Sequence, residues 1–531
     1  MCGIAGTVFN KDFLKGEEVA INDLKESLNS IRNNSNNSEI LLEQAWKYKS
    51  NINFLRFCKD NNEKYDLKIL CSSIKELADQ KRIEIANIDK SSSLEPYKRA
   101  VKECEQIMDT HWFLSEEIYR WVSTIEEISN SKIESLDDSK IVFYKDVCKV
   151  IHAIDNRLEL RGRDSLGLSI LINSDNFQHN ISDYPIDDHT KETYNFFNNS
   201  RHQTHTFTFK TCSSIGALGD NAKEIKDLIN KNKFFNKLIQ LGNIESATIM
   251  AHTRWASVGS VNIQNAHPTS LINNSADNCN QTLALLNGDI YNYKEIINDA
   301  KKGNEKLINA SECTNDSLAI PAYLLNKGNL DLKMAAAMAA DFSGSFAISI
   351  QQTSNSENIT LVKKGIQGLY LGFSYDGMMF ASDVYGLVES CRYFMPVESD
   401  TAMNISSREC SAVDNIQFEI MSYKSGDSKS FSKKDLQITN ITTRDIDKRG
   451  YEHFLEKEIY ETSDIVERTI NGYLQPHKAL DLDNLISAIS MDNAQVPAFI
   501  ISSLQRKEIK KVIITGMGTC YTAAVAISMY M

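Results

Sequence analysis

Residues 1–10 read MCGIAGTVFN, and they decide the interpretation of the fold because a cysteine directly follows the initiator methionine. A free cysteine is most often a small buried hydrophobic residue. Alternatively, Met1 is removed, and Cys2 then carries a thiol and a free α-amine. That amine has a pKa of roughly 7.7 to 8.0 and can act as the base for the thiol. Residues 4–9 predict a strand immediately behind Cys2.

The composition is that of a globular protein of two or three domains, with 531 residues, 42% hydrophobic and 24% charged. A net charge of −12 argues against nucleic acid or an anionic membrane as the main partner. The eleven cysteines form no CxxC pair and indicate neither a disulfide framework nor a zinc site. Residues 1–13 lack the pattern of a signal peptide, so the expected location is the cytoplasm.

A helical segment is predicted between the first strand and the others. Residues 41, 45, 48, 52 and 55 are apolar at helical spacing, and Ser38 is a candidate cap for one helix over this stretch. The whole segment carries no catalytic cluster, so we interpret it as an insertion for packing or partner binding. Strand patterns then return at 166–172, 246–252, 283–287, 345–351, 359–363, 369–373 and 378–381. Strands mixed with separate helical segments predict an α+β fold.

The last residues, KVIITGMGTCYTAAVAISMYM at 511–531, are mostly apolar. Their number is near the length of a membrane span, which leaves a tail anchor as one interpretation. The hydroxyl residues and two glycines in the middle favour a different one. They predict a strand, a glycine-rich loop of the phosphate-binding type and the start of a helix.

Three further stretches carry groups suited to catalysis: LELRGRDSLG at 158–167, MAHTRWASVGSVNIQNAHP at 250–268 and ALLNGDIYNY at 284–293. Each also has a structural interpretation. The first could be a turn with an Arg–Asp pair, and the second could be an ordinary strand end. Asn-Gly is the commonest dipeptide of tight hairpin turns, so Asn287-Gly288 alone favours a turn.

One reaction makes use of all these stretches. If Cys2 attacks an amide carbonyl, the tetrahedral oxyanion needs preplaced donors, which the Asn287 amide and the Gly288 N–H can supply. If the amide belongs to glutamine, Arg254 could bind its α-carboxylate with two hydrogen bonds. Asp316 could bind its α-ammonium, although this residue alone fits a helix N-cap better.

The ordered stretches MCGIAG, LELRGRDSLG, HTRWASVG with NAHP, and LNGDIYNY resemble the class II glutamine amidotransferases. These are N-terminal-nucleophile (Ntn) hydrolases with an αββα sandwich. Within the class, the stretches are most similar to the isomerizing glutamine–fructose-6-phosphate aminotransferases. Two later stretches agree: 449–474 is similar to that family's helical linker, and GMGTCYTA at 516–523 to the loop that opens its first sugar-isomerase (SIS) domain.

The resemblance implies a division of the chain. A class II glutaminase domain is expected at 1–10 and 146–440, the helical insertion at 11–145, and a helical linker at 441–508. Residues 509–531 are expected to be an incomplete SIS domain, the first βα unit of an α/β fold. The family's remaining isomerase residues would lie beyond Met531, so we expect a fragment of a longer protein or one half of a split enzyme.

The resemblance also implies catalytic roles. Cys2 would be the nucleophile that forms a γ-glutamyl thioester and releases ammonia. Asn287 and Gly288 would form the oxyanion hole. Arg254 would hold the carboxylate of glutamine, and Asp316 its amine.

Further binding roles are implied for Trp255, which would gate an ammonia channel, and for Ser257, in the loop that closes over the substrate. Thr519 would help to hold a sugar phosphate. Two positions depart from the family pattern: Val258 replaces a histidine of the closing loop, and Cys520 replaces a serine that contacts the sugar phosphate.

The expected substrates are L-glutamine and, through the missing SIS portion, fructose 6-phosphate, with ammonia passed on to make glucosamine 6-phosphate. No cofactor, metal, nucleic acid or membrane is implied, and the full-length form is expected to be a homo-oligomer. Two alternatives stay open. One is a glutaminase that serves another acceptor, although the SGGxDS and DD motifs of asparagine synthetase and amidophosphoribosyltransferase are missing. The other is an inactive scaffold that binds a partner through its insertion.

Overall fold

The computed structural model describes most of the chain. The described residues are 2–12, 17–33, 37–88, 94–155, 157–175, 194–198, 203–212, 218–275, 278–309, 311–408, 413, 416, 419–473, 498–516 and 519–530. Two compact units are present. One comprises Met1–Gln80 with Glu103–Asp447, and the other comprises Lys81–Lys102 with Lys448–Met531.

The strands of the described residues all belong to the first unit. They are β1 (Gly3–Asn10), β2 (Ser165–Asp175), β3 (Tyr194–Asn198), β4 (Gln203–Thr211), β5 (Asn243–Arg254), β6 (Thr269–Ser275), β7 (Asn278–Ile290), β8 (Gly344–Gln352), β9 (Asn358–Lys364), β10 (Tyr370–Phe373), β11 (Met378–Ala381), β12 (Tyr393–Pro396), β13 (Thr401–Ser406), β14 (Glu419–Ser422), β15 (Ser428–Ser430) and β16 (Gln437–Ile438). The strands predicted between residues 4 and 381 are confirmed as β1, β2, β5 and β7–β11.

Nine strands form one antiparallel sheet in the order β16-β12-β10-β11-β1-β5-β2-β4-β3. The first strand of the chain lies in its middle. Gly3 is opposite Thr253 of β5, and Ala5 is opposite Ala381 of β11. Because β1 and β5 are antiparallel, the first residues of the chain lie beside the end of β5.

Seven strands form a second antiparallel sheet in the order β15-β14-β13-β9-β8-β7-β6. The two sheets face each other, and polar side chains bridge them in the interior. Ser169 Oγ donates to Gln351 Oε1 over 2.6 Å, and Gln351 Nε2 donates to Thr248 Oγ1 over 3.0 Å. The prediction of an α+β fold is confirmed.

The helices are α1 (Ile21–Arg32), α2 (Ser38–Tyr48), α3 (Asn51–Lys59), α4 (Asn61–Ala86), α5 (Leu94–Trp112), α6 (Ile118–Ser129), α7 (Asp138–Ile154), α8 (Asp220–Lys231), α9 (Lys233–Leu241), α10 (Tyr293–Asn309), α11 (Ala319–Lys327), α12 (Leu332–Asp341), α13 (Thr443–Ile446), α14 (Phe454–Tyr473), α15 (Ala498–Gln505) and α16 (Thr519–Tyr530). Helices α7–α9 cover the outer face of the nine-stranded sheet, where Phe143 meets Phe9 at 5.6 Å between ring centroids. Helices α10–α12 cover the outer face of the other sheet, and Tyr323, Met338 and Phe346 are buried there in one hydrophobic cluster. The layers therefore run helix, sheet, sheet, helix.

Helix α7 spans the expected end of the insertion. The expected boundary between residues 145 and 146 falls inside this helix, which is buried from Ile141 to Ile154 and packs on β1 and β5. Asp137 is the N-cap of the helix, and its side chain accepts from the Lys140 N–H over 3.0 Å. Helix α7 is thus one piece of the outer layer.

The helices before α7 share the core of the sandwich. Buried residues of α1–α4 and α6 belong to the same hydrophobic cluster as Ile4 and Phe9 of β1. The single helix predicted over 41–55 is wrong: two helices, α2 and α3, are separated at residues 49–50. Ser38 is the first residue of α2 rather than its cap, and Asn37 occupies the N-cap position.

The strand predicted at the start of 511–531 is also wrong. Residues 508–516 form neither helix nor strand, and Ile513 is exposed, whereas the predicted helix is present as α16. A lone strand lacks neighbours for its backbone groups and cover for its apolar faces. Most of the expected linker after α14, residues 474–497, lies outside the described residues. None of the described helices combines the length and apolarity needed to cross a membrane.

Candidate active site

Cys2 lies at the sheet edge where β1 begins and β5 ends. The N–H of Trp255 donates to Cys2 Sγ over 3.4 Å, and Cys2 Sγ lies 3.7 Å from the Trp255 carbonyl oxygen. Gly3 keeps this approach tight, because a Cβ at that position would lie 2.5 Å from Thr253 Oγ1. Burial raises the pKa of the Cys2 thiol, so a nucleophilic role requires a base.

Asn287 of the second sheet reaches the same point. The backbone N–H of Cys2 donates to Asn287 Oδ1 over 3.1 Å, across 285 positions of sequence. Because Oδ1 is the acceptor in this bond, the amide presents Nδ2 as its donor. The side chain can therefore serve both the nucleophile and an oxyanion beside it.

Gly288 follows inside strand β7, so the hairpin-turn interpretation of Asn287-Gly288 is wrong. Gly288 lies opposite Phe346 of β8 and has a φ of +113°. A Cβ here would lie 2.1 Å from the Ser345 carbonyl oxygen. Only glycine fits both the backbone angle and the space.

Arg254 ends β5 and is only 3% exposed. Its guanidinium donates to the Ser260 carbonyl over 3.0 Å and to the Val258 carbonyl. Two N–H groups of Arg254, the residue expected to bind the substrate carboxylate, therefore hold the loop that follows Arg254. The loop expected to close over the substrate comprises residues 254–259; we use the name closing loop for residues 255–260, which follow β5.

The other predicted residues of the closing loop face outward. Trp255 is 61% exposed. Ser257 Oγ donates to Asp289 Oδ1 over 3.3 Å, which joins the loop to the end of β7.

Asp316 is not an N-cap, because Asn315 occupies that position of the short helix Asp316–Leu318. Its Oδ2 accepts from the Ile290 N–H over 2.9 Å, which ties it to the strand that carries Asn287. Asp316 is 6% exposed, and burial raises its pKa to about 6. Because burial disfavours the charged form of this carboxyl, a cation bound beside it would stabilise the carboxylate.

Two buried histidines, His252 and His267, lie near Arg254. The rings of His252 and His267 lie 3.9 Å apart, and His252 Nε2 bonds the Leu286 carbonyl over 2.9 Å. Burial lowers the pKa of His252 to about 3 and moves that of His267 well below its usual value. They add no positive charge, and no cluster suited to a metal ion occurs among the described residues.

Seven of the eight predicted residues are brought together: Cys2, Arg254, Trp255, Ser257, Asn287, Gly288 and Asp316 all lie in or beside this site. Thr519 belongs to the second unit, and its side chain lies outside the described residues.

Sequence reasoning missed three residues that organise the site. Asp164 Oδ2 accepts from the Ala256 N–H over 2.7 Å, and Asn265 bonds Ser260 and Thr314. Thr253 Oγ1 accepts from the Gly3 N–H over 3.1 Å. Asp164 belongs to the motif RGRDS and Asn265 to the motif NAHP. Their position in these motifs could have identified them as site residues.

Comparison with known proteins finds similarity over part of the chain. Residues 242–442 match the family described as glutamine amidotransferase domain. These residues include Arg254, Asn287, Gly288 and Asp316. Cys2 lies outside the matched range.

Curated relatives are named glutamine–fructose-6-phosphate aminotransferase (isomerizing). The one from Clostridium acetobutylicum is 27% identical over 307 residues, covering 56% of this chain and 44% of its own length. The one from Francisella tularensis is 25% identical over 57% of this chain and 43% of its own. The chain thus spans less than half the length of these relatives.

Two solved structures also align: an allosteric regulatory enzyme of purine biosynthesis, and a glutamine phosphoribosylpyrophosphate amidotransferase from B. subtilis. Identity is 15% and 13%, each over 52% of this chain and 46% of theirs, and the TM-score is 0.33 for both. A TM-score this low gives the likeness no weight. The family match and the curated relatives agree without it: residues 242–442 match a glutamine amidotransferase domain, and the chain is similar to the isomerizing glutamine–fructose-6-phosphate aminotransferases.

Proposed function

We propose that the first unit hydrolyses L-glutamine at Cys2 through a γ-glutamyl thioester. With Met1 removed, the α-amine of Cys2 takes the thiol proton, and the sulfur attacks the side-chain amide carbon of glutamine. The tetrahedral oxyanion collapses, the C–N bond breaks, and ammonia leaves with the transferred proton. Water then cleaves the thioester, which yields glutamate and the free thiol.

One observation carries this proposal: the nitrogen of Cys2 lies 3.1 Å from Asn287 Oδ1. The Cys2 nitrogen becomes the α-amine when Met1 is removed. The same amide group would thus orient the base through Oδ1 and stabilise the oxyanion through Nδ2. The Gly288 N–H is proposed as the second oxyanion donor.

The α-carboxylate and α-ammonium of glutamine are assigned to Arg254 and Asp316. Arg254 keeps guanidinium donors beyond the two that hold the loop, since a guanidinium carries five. Asp316 supplies a buried negative charge. Trp255 and Ser257 of the closing loop would cover the bound substrate.

We further propose that the ammonia serves the synthesis of glucosamine 6-phosphate from fructose 6-phosphate. The names of the curated relatives support this acceptor. The SIS portion that would perform the synthesis, with Thr519 near its start, would complete the enzyme as a homo-oligomer. No cofactor is needed for the glutaminase step. The cysteines of the described residues are free thiols, which fits the reducing cytoplasm.

The test measures ammonia and glutamate released from L-glutamine by the purified chain. Cys2→Ala should abolish both products, whereas Cys520→Ala, which removes an exposed thiol of the second unit, should leave them unchanged. Mass spectrometry should show Met1 removed and Cys2 alkylated by a glutamine-analogue diazoketone. Ammonia release that persists in Cys2→Ala overturns the proposal.

The same experiment separates the alternatives. An inactive scaffold would release no ammonia, retain Met1 and resist the electrophile. A glutaminase for another acceptor would hydrolyse glutamine but would show no response to fructose 6-phosphate when the complete protein is assayed.

A further inference from the structure

Asn265 is a buried amide between the two parts of the proposed glutamine site. It lies in the connection between β5 and β6 and is 0% exposed. Both atoms of its side-chain amide are engaged, as is its backbone carbonyl. Its contacts divide into two sets.

The first set reaches the closing loop. Asn265 Nδ2 donates to the Ser260 carbonyl over 3.0 Å. That carbonyl also accepts from Arg254 Nη1 over 3.0 Å. One oxygen atom thus joins the Asn265 amide to the guanidinium assigned to the substrate carboxylate.

The second set reaches the segment before Asp316. Asn265 Oδ1 accepts from the Thr314 N–H over 2.7 Å, and the Asn265 carbonyl accepts from Asn315 Nδ2 over 2.9 Å. Asp316 follows directly in the chain. The amide therefore also fixes the turn that carries the carboxylate assigned to the substrate ammonium.

The space around this amide is filled. A Cβ on Gly259 would lie 3.1 Å from both Asn265 Nδ2 and Thr314 Oγ1, and Gly259 has a φ of +80°. The loop and the turn are hence closely packed around Asn265. A well-packed hydrogen-bonded amide holds its neighbours in one arrangement.

An α-amino acid carries its carboxylate and ammonium on one carbon, so the groups that bind them must stand at one spacing. We propose that Asn265 is a positioning residue that sets this spacing between Arg254 and Asp316. It would thereby determine specificity for the α-amino-acid end of glutamine. The inference rests on the proposed glutaminase function and adds a residue to it.

The test compares Asn265→Asp with Gln264→Glu, the same amide-to-acid change at the neighbouring exposed position. The aspartate keeps the shape but cannot donate to the Ser260 carbonyl. Substrates are L-glutamine, glutaramic acid, which lacks the α-ammonium, and 4-aminobutanamide, which lacks the carboxylate. Asn265→Asp should raise KM for L-glutamine about tenfold or more and change kcat by less than about threefold. The reason is that the buried hydrogen bond to the Ser260 carbonyl is lost and a carboxylate oxygen takes the place of its donor.

The two truncated amides should react with unchanged kcat/KM, so the preference for L-glutamine should fall about tenfold. A second variant, Thr314→Val, removes the hydroxyl beside the amide at an exposed position and should shift specificity the same way, but less. Equal losses on all three amides, or a lower kcat at constant KM, would mean a merely structural role. Wild-type protein without glutaminase activity would refute the proposed function instead.

Discussion

Asp164 and Ala256 join the start of β2 to the closing loop: Asp164 Oδ2 accepts from the Ala256 N–H over 2.7 Å. The Asp164 N–H in turn donates to the Arg254 carbonyl over 3.0 Å. The loop is therefore anchored on both sides of Trp255 before any substrate binds. Such preorganisation lowers the entropy that substrate binding must offset.

The first prediction concerns this anchor. Asp164→Ala should raise KM for L-glutamine about tenfold, because a charge-assisted hydrogen bond contributes roughly 1.5–3 kcal/mol. Steady-state ammonia release measures the effect. Asp175→Ala, at the exposed opposite end of β2, should leave KM unchanged, and an equal effect of both substitutions would contradict the loop-anchoring role.

The second prediction concerns Gly288. Gly288→Ala should lower kcat at least about 100-fold and the free energy of unfolding by about 1–3 kcal/mol, because the added Cβ meets the Ser345 carbonyl at 2.1 Å. Urea unfolding and ammonia release measure the two effects. Gly303→Ala in α10 is the matched control, since its Cβ would have no atom within 4 Å. It should stabilise the helix by about 0.5–1 kcal/mol.

The third prediction concerns pH. Because burial raises the pKa of Asp316 to about 6, this carboxyl loses its negative charge as the pH falls through 6. Binding of the substrate ammonium should therefore be present above pH 6 and be lost below it. The ratio of kcat/KM for L-glutamine to that for glutaramic acid should decrease as the pH is lowered through 6. Titration of the Cys2 amine changes kcat/KM of both substrates equally, so it cancels in the ratio. A ratio that stays constant between pH 5 and 7 would remove Asp316 from the ammonium site.

The fourth prediction concerns the helices between β1 and β2. The Lys49 ammonium pairs with the buried Glu117 and donates to the Glu389 carbonyl, which follows β11. Lys49→Met should lower the free energy of unfolding by about 3–5 kcal/mol, because it leaves the buried Glu117 carboxyl without its cationic partner. Lys47→Met removes the pair with the exposed Glu17 and a contact with the Tyr375 ring at 5.9 Å, and it should cost about 1 kcal/mol. Comparable values in urea unfolding would indicate that the helical segment packs only loosely on the sheets.

Much of the strand content was predictable, because alternating and continuous apolar runs report a strand locally. Six of the seven residues that lie together at the candidate site stand in the ordered motifs and were predictable from them, whereas Asp316 stands outside the motifs. The orientation of Asp316 was not predictable, since an acid at the start of a helical pattern ordinarily caps it. Here the N–H of Ile290 in β7, 26 positions earlier in the chain, donates to the Asp316 carboxylate.

The expected boundary of the insertion falls inside α7 for a related reason. The apolar pattern of α7 continues without a break across residue 145, and no local signal tells which layer the helix covers. The strand expected near residue 512 failed in the opposite way: its β-branched residues favour a strand, but a strand requires partners that the described residues do not provide.

By itself, the sequence determined the α+β class, the nucleophile candidate and the residue types of the site. Tertiary structure alone decided which atoms meet: Cys2 with Asn287, Asp164 with the closing loop, and Asn265 with both Arg254's loop and the Asp316 turn. Periodicity records which face of each element is apolar. Pairing between strands far apart in the chain then chooses the neighbours that cover that face and bond its polar groups.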